Sequence, residues 1–390
     1  MSTSNPATAA SAEGVASAAP KLRYLVVAVL GVWILSIPCA EIIFRLLGER
    51  TTTDLVGLYQ SFGRNGGYKL APNARADADT LVGRFSVLTN DLGLRCGKVD
   101  LRRRSVAENR GILVLGDSQA YGEGLDYEDT VVGQLASLAK QRGLVVNNAA
   151  VGGHYLENQF ELARWLDDQG ARPKHIIVLL TPYLIATAGR YNHVFVGPDG
   201  VLYDKESTSR HHLTRWLKQH TVVYARVRNA VSSFRPAPKT DLTPALVKFY
   251  SRAEEAGYQE RLVQFLTRLS AWCAERQITI MLVYTPGVVE FKFDPVVQAG
   301  RSAGIEVDRD APFRAARSAA TILSIPFQDL RPVIECESLN NHPLALRDEA
   351  HYSAPVCASV ARNIWEAFMG GALGDQCASP SHPHPVASHY

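Results

Sequence analysis

The sequence predicts a three-layer α/β/α sandwich built on a parallel sheet and preceded by one transmembrane helix, on the strength of three observations. Short, mostly apolar runs alternate with amphipathic helical stretches from about residue 111 to residue 368, the pattern of a parallel sheet with helices on both faces. The runs lack the in–out alternation of a half-exposed strand, as expected of strands covered on both sides. Ahead of them, the stretch from Tyr24 to Ala40 contains no charged residue.

Residues 1–20 are rich in Ala, Ser and Thr without apolar periodicity and read as a disordered tail. Residues 21–50 read as a membrane anchor. Their apolar run, from Leu25 to Leu47, is interrupted only by Glu41 and Arg45 in its second half. At about 1.5 Å per residue, some 20 residues cross the hydrocarbon layer, so the length suffices if Arg45 snorkels to the interface. A cleaved signal peptide would have a shorter apolar region and a small-residue cleavage site, for which Pro38-Cys39-Ala40 is a poor match. A buried core helix would show a polar stripe. Lys21 and Arg23 before the span balance Arg45 and Arg50 after it, so charge sets no orientation.

Strands are expected at 111–115, 144–148, 175–180, 278–284 and 325–329. Between them, helices are expected from Thr130 to Arg142, closing on Gly143, and from Leu156 to Gln169, closing on Gly170; a glycine there suits the left-handed residue that ends a helix. A third helix, Arg261 to Glu275, carries Leu262, Phe265, Leu266, Leu269 and Trp272 at helical spacing. The last runs from Pro355 to Phe368, its proline in the first turn, where the missing N–H is harmless. Residues 51–377 then form one domain with an insertion at about 182–256. That insertion holds Tyr183, Tyr191, Tyr203, Trp216, Tyr224 and the pair His211-His212; it reads either as a lid or saccharide-facing surface or as a helical decoration packed on the core. Residues 378–390 read as a second disordered tail.

With 41 basic against 38 acidic residues the formal charge is +3, and no basic stripe is interleaved with aromatics, so nucleic acid is not an expected partner. His193, His211, His212 and His220 lack ligand spacing with cysteines or carboxylates, and no metal or other cofactor is expected. Of six cysteines, Cys39 lies in the span; the remaining odd number leaves at least one thiol unpaired within the chain. Cys336 with Cys357 or with Cys377 is one reading, buried free thiols the other.

The chemistry is carried by two segments far apart in the chain. The first predicted strand ends on Gly116-Asp117-Ser118, and Asp348-Glu349-Ala350-His351 supplies an Asp-x-x-His. A serine hydroxyl needs an imidazole to take its proton and a carboxylate to fix the imidazole's tautomer; Ser118, His351 and Asp348 are the residues for those roles. Gly-Asp-Ser by itself is also an ordinary turn, and it is the distant Asp-x-x-His that favours the catalytic reading. In an open parallel sheet, ligands bind beyond the carboxyl ends of the strands, which is where Ser118 falls.

On these residues the chain resembles the SGNH (GDSL-like) hydrolases over about residues 85–370. Gly116 to Gly124 looks like the family's first block, Asn148-Ala149-Ala150-Val151-Gly152-Gly153 like its second, and Asp348 with His351 like its last. The resemblance implies a flavodoxin-like order of the parallel strands, Ser118 as nucleophile, and the Ser118 and Gly153 amides as oxyanion-hole donors. Thr89-Asn90-Asp91-Leu92-Gly93-Leu94-Arg95 is similar to a segment found in membrane-linked members associated with exopolysaccharide pathways. That similarity implies a single-pass protein of the inner membrane with its catalytic domain in the periplasm.

One departure stands out. The family's third block supplies an asparagine donor after the third strand, whereas this chain has Leu180-Thr181-Pro182-Tyr183-Leu184. Loss of one donor typically lowers turnover about a hundredfold to a thousandfold, so either Thr181 or Asn192 substitutes or the catalyst is weak. The expected function is hydrolysis of acyl esters, acetyl in the first instance, on a carbohydrate or envelope substrate. Two alternatives stay open: an O-acetyltransferase using the same chemistry, which would need a multi-span partner to deliver the acyl group, and a non-catalytic assembly subunit of an exopolysaccharide apparatus.

Overall fold

A computed structural model describes residues 18–46, 55, 57–62, 67–79, 82, 84–98, 111–192, 194–197, 200–204, 221–223, 243–340, 342–346, 348 and 350–370. Residues 1–17 and 378–390 of the expected tails, and Cys377, His193, His211, His212, Trp216, His220 and Tyr224, lie outside the described residues, whereas residues 18–20, expected in the first tail, are already helical. The chain divides into two compact units, Met1–Thr52 with His211–Pro238, and Thr53–Arg210 with Lys239–Tyr390.

In the first unit the apolar run forms one helix, α1 (Ala18–Leu46), with Pro38 inside it. The two charges interrupting that run meet each other: Arg45 Nε donates to Glu41 Oε1 at 2.8 Å, the i,i+4 spacing that places side chains on one face. Glu41 Oε2 also accepts from the Val223 amide at 3.0 Å. Val32, Leu35, Ile42, Ile43 and Leu46 are exposed. Side chains of α1 are described at 24, 31, 32 and 35–46; among the described residues, no helix is long and apolar enough to cross a membrane.

The second unit is the α/β body. All five expected strands form: β6 (Ile112–Leu115), β7 (Val146–Asn148), β8 (His175–Leu180), β11 (Thr279–Tyr284) and β12 (Phe327–Asp329). They pair in parallel in the order β7-β6-β8-β11-β12, the flavodoxin-like arrangement in which the chain reverses direction across β6 and β8. Ile176, Ile177, Val178, Leu179 and Leu180 of β8 are all buried, which is why the run shows no alternation. The helices follow the expected signals. α3 (Val131–Lys140) is capped by Thr130, whose hydroxyl accepts from the Gly133 amide. α4 (Leu156–Asp168) ends near Gly170 at φ +87°, and Gly143 stands at φ +71° after α3. The third predicted helix is longer than its periodicity suggested: α7 (Glu255–Glu275) starts six residues early, out of a 3-10 turn at Arg252–Glu254. After α7 come α8 (Asp294–Ala303), α9 (Ala311–Ile322) and α10 (Arg331–Leu339), and α11 (Ala354–Phe368) carries Pro355 in its first turn.

An antiparallel extension was absent from the sequence reading. β5 (Arg95–Cys96), β4 (Arg84–Thr89) and β3 (Arg75–Asp79) continue the sheet beyond β7, giving eight strands among the described residues. Two hairpins stand outside it, β1 (Tyr59–Phe62) with β2 (Gly67–Leu70), and β9 (Val194–Val196) with β10 (Leu202–Asp204). These strands have at most six residues each and carry weak local signals: β3 reads Arg-Ala-Asp-Ala-Asp, with its apolar positions filled by alanine.

Within the insertion, α5 (Pro182–Ala186) and α6 (Thr243–Phe249) form, and Tyr183 packs edge-on against Tyr155 and Phe249 at ring separations of 5.4 and 5.6 Å. Cys336 and Cys357 are free thiols, so the pairing between them does not form; Cys357 sits in α11, buried in the main core.

Beyond β11, Glu290 is buried in the loop that returns from the sheet edge. Its Oε1 accepts from Tyr284 Oη at 2.9 Å, Tyr250 Oη at 3.1 Å and the Gly287 amide at 2.9 Å, and burial pushes its pKa up to about 7. The unfolded chain loses this proton near the ordinary carboxylate value of 4.5, whereas the folded chain keeps it until about pH 7. Folding therefore binds a proton in that window, and stability falls as pH rises through it, by up to roughly 3 kcal/mol from this group. Denaturant unfolding at pH 5 and pH 8 should show wild type losing more stability over this interval than Glu290→Gln; equal losses would remove Glu290 as the cause.

Candidate active site

The turn closing β6 is organised by Asp117. Its Oδ1 accepts from the Gln119 amide at 3.0 Å, capping the short helix α2 (Ser118–Tyr121). Its Oδ2 accepts from Thr181 Oγ1, at the end of β8, at 2.5 Å. Burial pushes the Asp117 carboxyl up, against the pull of these two donors. Adjacent strands β6 and β8 are thus tied together where the sheet order reverses, and Ser118, the next residue, stands half-buried on that edge.

The loop bearing His351 reaches this turn through one side chain. Gln119 Nε2 donates to the Ala350 carbonyl at 2.6 Å, and Gln119 Oε1 accepts from the Tyr352 amide at 3.2 Å. The amide of the residue after Ser118 therefore holds the backbone on both sides of His351. Tyr352 Oη donates to the Pro286 carbonyl, in the loop that Glu290 organises, which holds the same segment from the far side.

His351 and Asp348 meet as the sequence suggested. Asp348 Oδ2 bonds His351 Nδ1, while its Oδ1 accepts from the Ala350 and His351 amides at 3.1 Å each. Two backbone bonds and one imidazole bond leave that carboxylate a single orientation, and it sets Nε2 toward the sheet edge. There Glu123 Oε2 lies 3.8 Å from His351 Nε2. Burial pulls the His351 pKa down, but the Asp348 hydrogen bond and the charges of Glu123, Asp348 and Asp117 outweigh it and hold it above the usual histidine value. Asp348 is correspondingly held below the ordinary carboxylate value, its partners outweighing burial. Among the described residues, the Ser118 hydroxyl makes no hydrogen bond; such contacts are often loose before substrate arrives.

Gly153 follows β7 at φ +77°, and its loop is fixed from outside. Asn192 Nδ2 donates to the Gly153 carbonyl at 2.5 Å and Tyr68 Oη to the Gly152 carbonyl at 3.1 Å. Asn158 Oδ1 in turn accepts from the Asn192 amide at 3.0 Å. Among the described residues, the amide N–H groups of Ser118 and Gly153 make no backbone or side-chain hydrogen bond, so two donors remain available on this edge. The two candidates for a further donor are engaged. Thr181 gives its only hydroxyl proton to Asp117, and Asn192 Nδ2 serves Gly153 and, at 3.4 Å, Tyr68 Oη.

The site-building residues that sequence reading passed over are Gln119, Glu123 and Tyr68. Gln119 and Glu123 lie inside the Gly116–Gly124 block, but their partners are more than two hundred residues away, and nothing in local spacing signals them. Tyr68 belongs to a hairpin that was not foreseen. The arrangement offers a carboxylate-oriented imidazole, a free hydroxyl and two free amides on one sheet edge, the parts needed for acyl transfer through a serine. Among the described residues no cluster of metal-ligating side chains occurs.

No protein-family model matches the chain, and no curated protein matches it in sequence. Among solved structures, the chain is similar to TesA at 13% identity, covering 67% of this chain and 98% of that one with a TM-score of 0.37. A member of the lipolytic G-D-S-L family from Veillonella parvula aligns at 10% identity, over 66% of this chain and 98% of its own, with a TM-score of 0.38. A mutant of Axe2, an acetyl-xylooligosaccharide esterase from Geobacillus, aligns at 16% identity, over 67% and 94% of the two chains, with a TM-score of 0.36.

The crowding of three carboxylates around His351 has a measurable consequence. In an NMR titration the His351 imidazole should change charge above pH 6.5. Glu123→Gln, which removes one nearby negative charge, should lower that midpoint by roughly half to one pH unit. A midpoint unmoved by the substitution would show that Glu123 does not act on the ring.

Proposed function

We propose that this chain is a serine ester hydrolase of the SGNH type, acting on acyl esters, acetyl in the first instance, of a carbohydrate or other envelope substrate. The observation that carries the reading is the Gln119 bridge, which joins the Ser118 turn to the His351 loop across 231 and 233 residues of sequence and brings a carboxylate-oriented imidazole to the sheet edge that bears a free serine.

In this reading Ser118 Oγ attacks the ester carbonyl while His351 Nε2 takes its proton, and the Ser118 and Gly153 amides receive the negative charge that develops on the carbonyl oxygen. The tetrahedral intermediate collapses to an acyl-serine as His351 returns the proton to the leaving alcohol. Water, deprotonated by the same imidazole, then releases the acid. Asp348 holds the ring and stabilises its charged form. Thr181 acts by positioning Asp117, and Asn192 by positioning the Gly153 loop; with neither supplying a third donor, turnover on small test esters is slow. No cofactor takes part.

We further propose that α1, with its exposed apolar side chains and its internally paired Glu41 and Arg45, anchors the chain in the inner membrane, with residues 51–377 forming the periplasmic domain. From that place hydrolysis needs only water, whereas transfer to a polysaccharide hydroxyl would need a multi-span partner to bring the acyl group across.

A fluorophosphonate probe should label Ser118 in the full chain. Ser118→Ala and His351→Ala should each lower nitrophenyl acetate turnover at least about a thousandfold, and the double variant should be no worse than either, because the two residues act as one unit. Wild type that neither reacts with the probe nor turns over ester would replace the esterase by a non-catalytic assembly subunit.

A further inference from the structure

Lys69 on β2 is 2% exposed. Among the described residues its Nζ donates only to the carbonyls of Leu70 at 3.3 Å and Leu92 at 3.4 Å, both long, stands 4.4 Å over the ring of Trp165 and has no ion pair. A buried charge left without a counter-charge is expensive, and here burial lowers the Lys69 pKa to about 8.

Lys69 lines a cavity of about 340 Å³, within the size range of small-molecule sites. Gln60, Ser61 and Gln169 supply amide and hydroxyl groups to its wall and Trp165 an aromatic one. Asp91 also lines it, exposed at the rim. The cavity is a place apart from the serine. Successive strand residues point to opposite faces: Tyr68 reaches the Gly152 carbonyl, and Lys69, the next residue, faces away from it. Room for the ammonium depends on Gly93, whose φ is +77°; a Cβ there would lie 3.1 Å from Nζ and 2.1 Å from the Leu70 carbonyl oxygen.

We propose that this cavity binds a sugar bearing a carboxylate or phosphate group, with the anion on Lys69 and the hydroxyls on Gln60, Ser61 and Gln169. An anion supplies the missing counter-charge and keeps Lys69 protonated, while the amides and the aromatic wall suit a hydroxylated ring. The site stands independently of the esterase reading, since no group in it belongs to the Ser118 edge.

The test is calorimetric titration of the detergent-solubilised full chain with glucuronate, glucose 1-phosphate and glucose. At least one of the two anions should bind ten times or more tighter than glucose, and the tighter one tells carboxylate from phosphate. Lys69→Met should lose that preference, and Asp91→Asn, which removes a like charge at the rim, should tighten anion binding about threefold. In an NMR titration the Lys69 side-chain resonances should shift on adding the tighter anion and not on adding glucose. Should Lys69→Met not fold, Asp91→Asn and that titration decide the matter alone. Glucose binding as well as the anions, no anion binding, or no response to any of these changes would overturn the proposal.

Discussion

A buried positive charge holds the turn that carries Ser118. Arg95, 1% exposed, donates through Nη1 to the carbonyls of Tyr121 and Gly122 at 2.5 and 2.8 Å, and through Nη2 to those of Leu125 and Ser86 at 2.5 and 3.3 Å. Its guanidinium also lies over the rings of Tyr121 and Phe85, at 4.6 and 5.6 Å from their centroids. Carbonyl oxygens at the end of a helix carry partial negative charge, and with two aromatic faces they replace the water that a buried arginine gives up. The strand that carries Arg95 was invisible in the sequence, yet it immobilises the segment from Ser118 to Leu125. Glu123 is part of that segment, so the charge facing His351 is placed by a residue that never touches it.

From that anchored turn the site is assembled by side chains that bond backbone. Gln119 grips both sides of His351, Asn192 and Tyr68 grip the carbonyls of Gly153 and Gly152, and Asp117 caps its own helix while holding Thr181. Each bond sets a loop conformation and leaves the reacting groups free, a division of labour that suits a preorganised site. The segment Leu180-Thr181-Pro182 belongs to the same scheme. Thr181 begins α5 as its N-cap, with Pro182 behind it, and its proton goes to Asp117; the position has been given to joining β6 and β8.

The β1–β2 hairpin links two regions that sequence order keeps apart. Tyr68 supports the glycine loop after β7, with its backbone carbonyl accepting from His154 Nε2 at 2.7 Å, while Lys69 on the other face closes the cavity beside Trp165. A shift of this hairpin would disturb both at once. Strand β1 is itself continued through the Tyr59 amide bonding the Gly200 carbonyl, so part of the insertion serves the body of the fold.

Much of this was legible in the sequence. The mostly apolar runs of β6, β8 and β11 marked the middle of the parallel sheet, because burial on both faces favours unbroken apolar residues. Gly143, Gly170 and Pro355 marked helix ends, because backbone chemistry permits few residues there. Gly-Asp-Ser and Asp-x-x-His stood out because acyl transfer through a serine calls for particular residue types, and the short spacing of Asp348 and His351 made their contact a local matter. Tertiary structure alone decided the rest. The antiparallel strands β3, β4 and β5 hid in short segments whose place depends on β7 being beside them, and the Gln119 bridge, the Arg95 clamp and the approach of Glu123 to His351 join segments that no periodicity relates. Local sequence determined which elements form; which side chains face each other was settled only when the sheet closed, because hydrogen bonds between distant loops leave no trace in spacing.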